Sequence, residues 1–88
     1  MKTSKENRVL IFDEAGLQAF AQQLKKVRKE IGITQTQLAF ESGLSLSQIA
    51  RIETAQINPT LSTIFAIIRA LEISPCKMFD FELPKSNI

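Results

Sequence analysis

The chain has no histidine and only one cysteine, Cys76, in its 88 residues. General acid-base catalysis, metal binding and thiol chemistry therefore lack the side chains that most often carry them. Its three glycines are scattered, so none forms a phosphate-cradling loop, and the carboxylates do not cluster. These absences argue against an enzyme and against a bound metal or cofactor. A lone cysteine cannot form an internal disulfide, so a reducing cytoplasm is expected, with Cys76 as a small apolar filler at a helix start.

Long apolar runs are missing too. Charges interrupt every helical segment well before the roughly 18 consecutive apolar residues of a membrane span. The opening MKTSKENR is polar and is followed by only VLIF, too little for the core of a signal peptide. Charge of one sign is also scarce: 11 basic residues face 9 acidic ones, for a net charge of +2. Such a chain is no polycation, and charge alone does not announce its partner. A hydrophobic content of 44% suffices for one small core.

What is present is concentrated between Thr34 and Thr54, in the stretch TQTQLAFESGLSLSQIARIET. Thr34 is followed three places on by Gln37, and Ser45 by Gln48. Both pairs read as capping boxes, in which the hydroxyl accepts the third amide of a helix and the glutamine reaches back to the cap amide. Two short helices are thus predicted to start at Gln35 and Leu46, with Gly43 free to take a left-handed turn between them. Leu38, Ala39, Leu44, Ile49 and Ile52 are spaced to share one interior, and Ala39 is small where the helices cross. Leu46, Ser47, Gln48, Ala50, Arg51 and Thr54 are left facing outward. That mostly polar face needs a partner.

On these residues the sequence resembles the helix-turn-helix of the phage repressor and Cro family, also called the Xre family. Gln35, Leu38, Ala39, Gly43, Leu44, Ile49 and Ile52 match the motif, while Ile52-Glu53, Asn58-Pro59, Ala70-Leu71 and Ile73-Ser74 match flanking landmarks. The resemblance runs from about Leu17 to Phe79. It implies an all-α, five-helix, lambda-repressor-like DNA-binding domain. It also implies a salt bridge between Arg28 and Glu53, and a Gln35 lying against the phosphate backbone. Ala55 and Glu72 depart from the family, which commonly has glycine at both places. An extended or shifted end of helix 3 and an altered corner after helix 4 are the expected consequences.

Three segments follow along the chain. Residues 1–13 form an amino-terminal arm: 1–7 lack the apolar side chains to order themselves, and 8–12 are β-prone. That short strand either lies as extended chain on the domain or pairs with 80–83, within or between subunits. Residues 14–79 form the domain. Helix 1 is predicted over 14–31, capped by Asp13, with an inward stripe of Leu17, Phe20, Ala21, Leu24, Val27, Arg28 and Ile31, closed by Gly32. Arg28 on that stripe must be paired or must reach solvent. Lys25, Lys26 and Lys29 beside it read as a solvated face. Helix 4 starts at Leu61 behind Thr60 and is expected to bury Leu61, Ile64, Phe65, Ile68 and Leu71. Ser74-Pro75 opens a last short helix. Residues 80–88 form a tail, taken as strand or dimer contact. Ile67, Met78, Phe79 and Phe81 exceed what one core needs, so they either complete it or join two copies.

If the partner is double-stranded DNA, positioning and reading separate. Helix amino ends attract phosphate, and three are available: Thr34 with Gln35, Ser45 with Leu46, and Asn58 with Thr60. Reading falls to helix 3, about 46–54, in the major groove. Ser47, Gln48 and Arg51 can bond base edges, and Leu46 can touch a thymine methyl. Arg51 is the only cation between Gln35 and Thr54, where it faces Glu41 and Glu53. It suits guanine, a phosphate or Glu41. A transcriptional regulator, acting as a repressor and as a homodimer on a palindrome, is the reading these residues favour. The rival is a protein-interaction module on the same fold, an antitoxin bound to a toxin, motivated by the nearly neutral recognition region.

Overall fold

The computed structural model describes residues 11–85. Five helices follow one another: α1 Glu14–Ile31, α2 Gln35–Ser42, α3 Leu46–Glu53, α4 Leu61–Leu71 and α5 Pro75–Met78. Each begins where a polar side chain can receive a first-turn amide. Asp13 accepts from the Gly16 N–H at 2.9 Å. The approach is so close that a Cβ on Gly16 would lie 2.7 Å from an Asp13 carboxylate oxygen. Thr34 and Gln37 form one capping box, with bonds of 2.9 and 3.0 Å, and Ser45 and Gln48 a second, with both at 3.0 Å. Thr60 and Ser74 cap α4 and α5.

Four helix ends are built alike. The N–H of Ile33 reaches the Arg28 carbonyl, Leu44 that of Ala39, Gln56 that of Arg51 and Ile73 that of Ile68. A bond spanning five residues in this way needs a left-handed residue just before its donor. Gly32 (φ 89°) and Gly43 (φ 78°) serve two of these corners, and Ala55 (φ 60°) and Glu72 (φ 56°) the other two. So α3 is neither extended nor shifted, and the corner at Glu72 keeps the shared geometry, contrary to expectation. Closing the corner outweighs the side chain's preference. At three of the corners the donor, Ile33, Leu44 or Ile73, also packs against the core.

α2 packs on α3 and α4, while α1 packs on α3 and α5. Between them lie Phe20, Leu24, Val27, Leu38, Ala39, Ile49, Ile52, Ile67, Ile68, Leu71 and Met78. Removing such side chains from water is what offsets the entropy of ordering the chain.

Several expectations need correction here. Ile31 is exposed, since it ends α1 beyond the last layer of the core. On α4 the inward stripe is Ile64, Ile67, Ile68 and Leu71, whereas Leu61 is 60% and Phe65 42% exposed. The sequence LSTIFAIIRAL is apolar on adjoining stripes, and packing against α2 selects one of them. Ile67 and Met78 are fully buried and complete the core. Phe79 stacks obliquely on Phe20 at 5.5 Å and on Phe81 at 6.3 Å, folding the tail back onto α1. Cys76 is exposed, not a filler, because one turn of helix shows its second residue to solvent.

Among the described residues there is no strand: 11–12 and 80–83 run without sheet pairing. The arm's residues 1–10 and the final three of the tail lie outside those described. Among the described residues, no helix is long and apolar enough to cross a membrane.

Candidate nucleic-acid interface

The site is built on the corner between α2 and α3. Ile49 is completely buried and Ile52 nearly so, which fixes the rotation of α3 about its axis. Leu46, Ser47, Gln48, Arg51 and Thr54 are consequently exposed, with Ala50 half-buried between them. Among the described residues, no element covers Ser47, Gln48 or Arg51. Arg51 makes no ion pair among the described residues, so the contact with Glu41 weighed above is not formed.

Not every polar group on this face is free. The Gln48 side-chain oxygen accepts the Ser45 N–H, and the Ser45 hydroxyl accepts the Gln48 N–H. What Gln48 still offers outward is its amide NH2 group. The Thr54 hydroxyl donates to the Ala50 carbonyl at 2.9 Å, which turns it back onto its own helix. Thr60 accepts the Thr63 N–H and shares a hydroxyl contact of 3.0 Å with the Thr63 side chain. Asn58 is exposed in the preceding loop. Caps use the third amide of each helix, so the first two amides of α2, α3 and α4 remain available to an anion.

Behind the face sits a buried ionic cluster. Arg28 donates from Nε to Glu53 Oε2 at 2.6 Å and from Nη2 to Oε1 at 3.0 Å, while Nη1 reaches the Ile33 carbonyl at 2.9 Å. The pair implied by the family resemblance is thus present, and it is two-pronged. Arg28 is 8% and Glu53 3% exposed, so neither charge could stand there alone. Gln35 joins the cluster, donating from Nε2 to Glu53 Oε1 at 2.8 Å. Four elements meet at this ion pair: α1 and the start of α2 at the Glu53 carboxylate on the end of α3, and the 32–34 turn at the Arg28 guanidinium. The Gln35 bond was not foreseen. It commits part of a side chain expected at phosphate, leaving the residue's helix-end N–H for that purpose. Its sequence signal is faint: a glutamine at a helix start, with an unsaturated carboxylate elsewhere to receive it.

Lys26 and Lys29 are exposed and Lys25 is half-buried on α1. Their neighbour Glu30 faces Lys77 at 3.6 Å across the surface. One large exposed side chain drew no attention in the sequence: Phe40 on α2, 87% exposed and directly opposite the core-facing side of its helix.

Residues 24–78 match the helix-turn-helix family. The chain is 48% identical over 52 residues to the immunity repressor protein of Bacillus phage phi105, covering 59% of this chain and 36% of that one. It is 39% identical over 54 residues to the antitoxin HipB of Escherichia coli, covering 61% of each. The chain therefore spans between about a third and three fifths of the length of these curated relatives. Among solved structures it is similar to the restriction-modification controller protein C.AhdI from Aeromonas hydrophila, with a TM-score of 0.70 at 38% identity over 72% of this chain and 96% of that one. The controller protein C.Esp1396I, solved as a tetramer in complex with its natural 35 base-pair operator, gives a TM-score of 0.69 at 34% identity over 73% and 84%. The architecture, the buried arginine-glutamate pair and these matches agree: the chain belongs to the helix-turn-helix family of the phage repressor and Cro (Xre) type.

Proposed function

We propose that this chain is a sequence-specific, double-stranded-DNA-binding transcriptional regulator, acting as a repressor in the cytoplasm, and a binding protein with no catalytic role. One observation carries the reading: α3 presents Ser47, Gln48 and Arg51 uncovered, while Ile49 and Ile52 lock its other side into the core. A rigid helix with an open polar face is the form that the major groove admits. In this reading Arg51 takes a guanine, the Gln48 amide and the Ser47 hydroxyl reach neighbouring base edges, and Leu46 meets a thymine methyl. Gln35, Ser45, Asn58 and Thr60 mark the helix ends that hold phosphate, through backbone amides more than through side chains already engaged in caps.

Residues 14–79 are the working unit. One such unit covers few base pairs, so useful specificity calls for two copies on a palindrome with half-sites roughly 34 Å apart. The controller protein solved as a tetramer on its operator supports pairing of this kind.

The test is selection of bound duplexes from random DNA, followed by titration of Arg51→Ala on the selected site. Loss of a bidentate arginine contact removes about 1–3 kcal/mol of discrimination, or about five- to 150-fold in affinity, with helical content unchanged. Unaltered binding by the variant would show that α3 does not read the site.

A second reading rests on the similarity to the antitoxin HipB: the same fold used to neutralise a toxin. A chain that selects no duplex sequence, yet co-purifies with the product of an adjacent reading frame, would favour that alternative.

A further inference from the structure

The outer side of α4 differs from every other exposed surface described. Phe65, Arg69, Glu72, Ile73 and Pro75 surround a shallow cavity of about 400 Å³ whose floor is the buried Ile68. Phe65 lies 42% exposed at its wall, with Leu61, 60% exposed, one helical turn further toward the helix start. Arg69 and Glu72 are both exposed, three residues apart, and neither makes an ion pair among the described residues. The patch is therefore apolar, with one unpaired cation and one unpaired anion at its edge.

That pattern selects its own occupant. Where two identical surfaces meet on a two-fold axis, residue i of one meets residue j of the other, and j meets i. A surface with a single sign of charge repels its copy, whereas one carrying a cation and an anion side by side can satisfy both against a second copy of itself. A partner of strongly acidic or basic character would leave one of the two charges opposed. The groove between the start of α1 and residues 79–83, about 300 Å³ and lined by Ile11, Leu17, Phe79 and Phe81 among others, offers no such choice. Its one charged neighbour is Asp13, and its rim runs into both ends of the described chain.

We propose that the outer face of α4 with the step into α5 is the surface through which two copies of this chain join, Arg69 of each pairing with Glu72 of the other. The proposal rests on the dimeric reading given above and names the face that it uses. The charge pair stands at the carboxyl end of α4. Eleven residues at 1.5 Å each set it roughly 16 Å from the Thr60 cap, so joining there leaves the amino end of α4 and the whole of α3 open to a duplex. Phe65 gains a reason to be outside the core, and the aromatic tail is released from the role of dimer contact.

Sedimentation equilibrium on the full chain, at concentrations from about one to a hundred micromolar, tests this together with Arg69→Glu, Glu72→Arg and the double exchange. Either single reversal sets like charges against each other twice across the axis and raises the dimer dissociation constant by about tenfold or more. The double exchange restores it, while circular dichroism stays unchanged throughout because both side chains are exposed. A dimer indifferent to both single reversals overturns this face and leaves the dimeric reading standing. A wild-type chain that remains monomeric over the whole range, and that binds the selected palindrome one copy at a time, overturns both.

Discussion

α3 and α4 begin alike and finish differently. Each starts behind a hydroxyl cap, each buries isoleucines against the same core, and each ends in the same left-handed corner. Their outer faces are opposites. α3 shows Ser47, Gln48 and Arg51, and α4 shows Leu61 and Phe65 with a charge pair at one end. A water-facing helix has no use for the second kind of surface, and a helix meant for a groove of bases has no use for aromatic rings on its outside. One small core thus carries two outer surfaces of different chemistry, a mostly polar one on α3 and an apolar one on α4.

The largest way to disturb this arrangement is to break what anchors α3 and leaves α4 untouched. Arg28→Ala would strand the Glu53 carboxylate in the core with only the Gln35 amide for company. Removing one partner of a buried pair costs about 3–5 kcal/mol, a large fraction of the stability of so small a domain. Urea denaturation followed by circular dichroism should register it. A loss below about 1 kcal/mol would mean that α3 is held by its isoleucines alone.

Next in size is the contrast within α4. Ile67 is fully buried, whereas Phe65, two residues earlier, is 42% exposed. Ile67→Ala should cost about 2–5 kcal/mol of folding stability. Phe65→Ala, measured at a dilution where copies do not associate, should fall within about 1 kcal/mol of wild type, since it empties no cavity in the core. Equal losses at the two positions would mean that α4 is rotated from the orientation described, and the face assigned to a second copy would go with it.

These two regions were not equally legible. The start of α3 could be read from four residues, Ser45 to Gln48, because a capping box is short-range chemistry that its own side chains satisfy. The same holds for Thr34 to Gln37 and for the glycine corners at 32 and 43. The limits of α1 followed from Asp13, Gly32 and one periodic stripe. On α4 eight of the eleven positions are apolar, so periodicity permits neighbouring stripes, and only packing against α2 decides between Phe65 and Ile67. Met78 and Phe79 sit beyond any periodic window, where burial depends on how a single turn lands on α1. The Arg28 to Glu53 bridge spans 25 residues. A charge on the apolar stripe of α1 demanded a partner, but the partner's identity came from family resemblance. Gln35 shows the limit of that route: the resemblance placed it at phosphate, and its bond to Glu53 needed coordinates.

A smaller effect separates the caps. Ser45→Ala removes the acceptor of the Gln48 N–H; the backbone N–H of residue 45 that the Gln48 side-chain oxygen accepts is kept, but the first turn that holds the two in register loosens. About 0.5–2 kcal/mol of stability should go with the cap. Duplex affinity should fall further than that loss of folding explains, because Gln48 loses its fixed pose on the reading face. Thr60→Ala on α4 should show the stability loss without a change in base preference. If both variants shifted the selected sequence alike, the assignment of reading to α3 would be wrong.

The smallest effect has the opposite sign. Ala55 and Glu72 hold left-handed conformations, at φ 60° and 56°, which suit glycine and strain any residue with a Cβ. Replacing Ala55 with glycine relieves that strain, against the extra freedom glycine brings to the unfolded chain, for a net gain of about 0.5–1 kcal/mol. Glu72→Gly should gain a similar amount, but it also removes the anion from the proposed α4 face. The two substitutions therefore agree in a melting experiment and part in the ultracentrifuge: Ala55→Gly leaves association unchanged, and Glu72→Gly stabilises the fold while weakening the pairing of copies. A Glu72→Gly chain that both melts higher and associates as wild type would confine Glu72 to its corner and remove it from the interface.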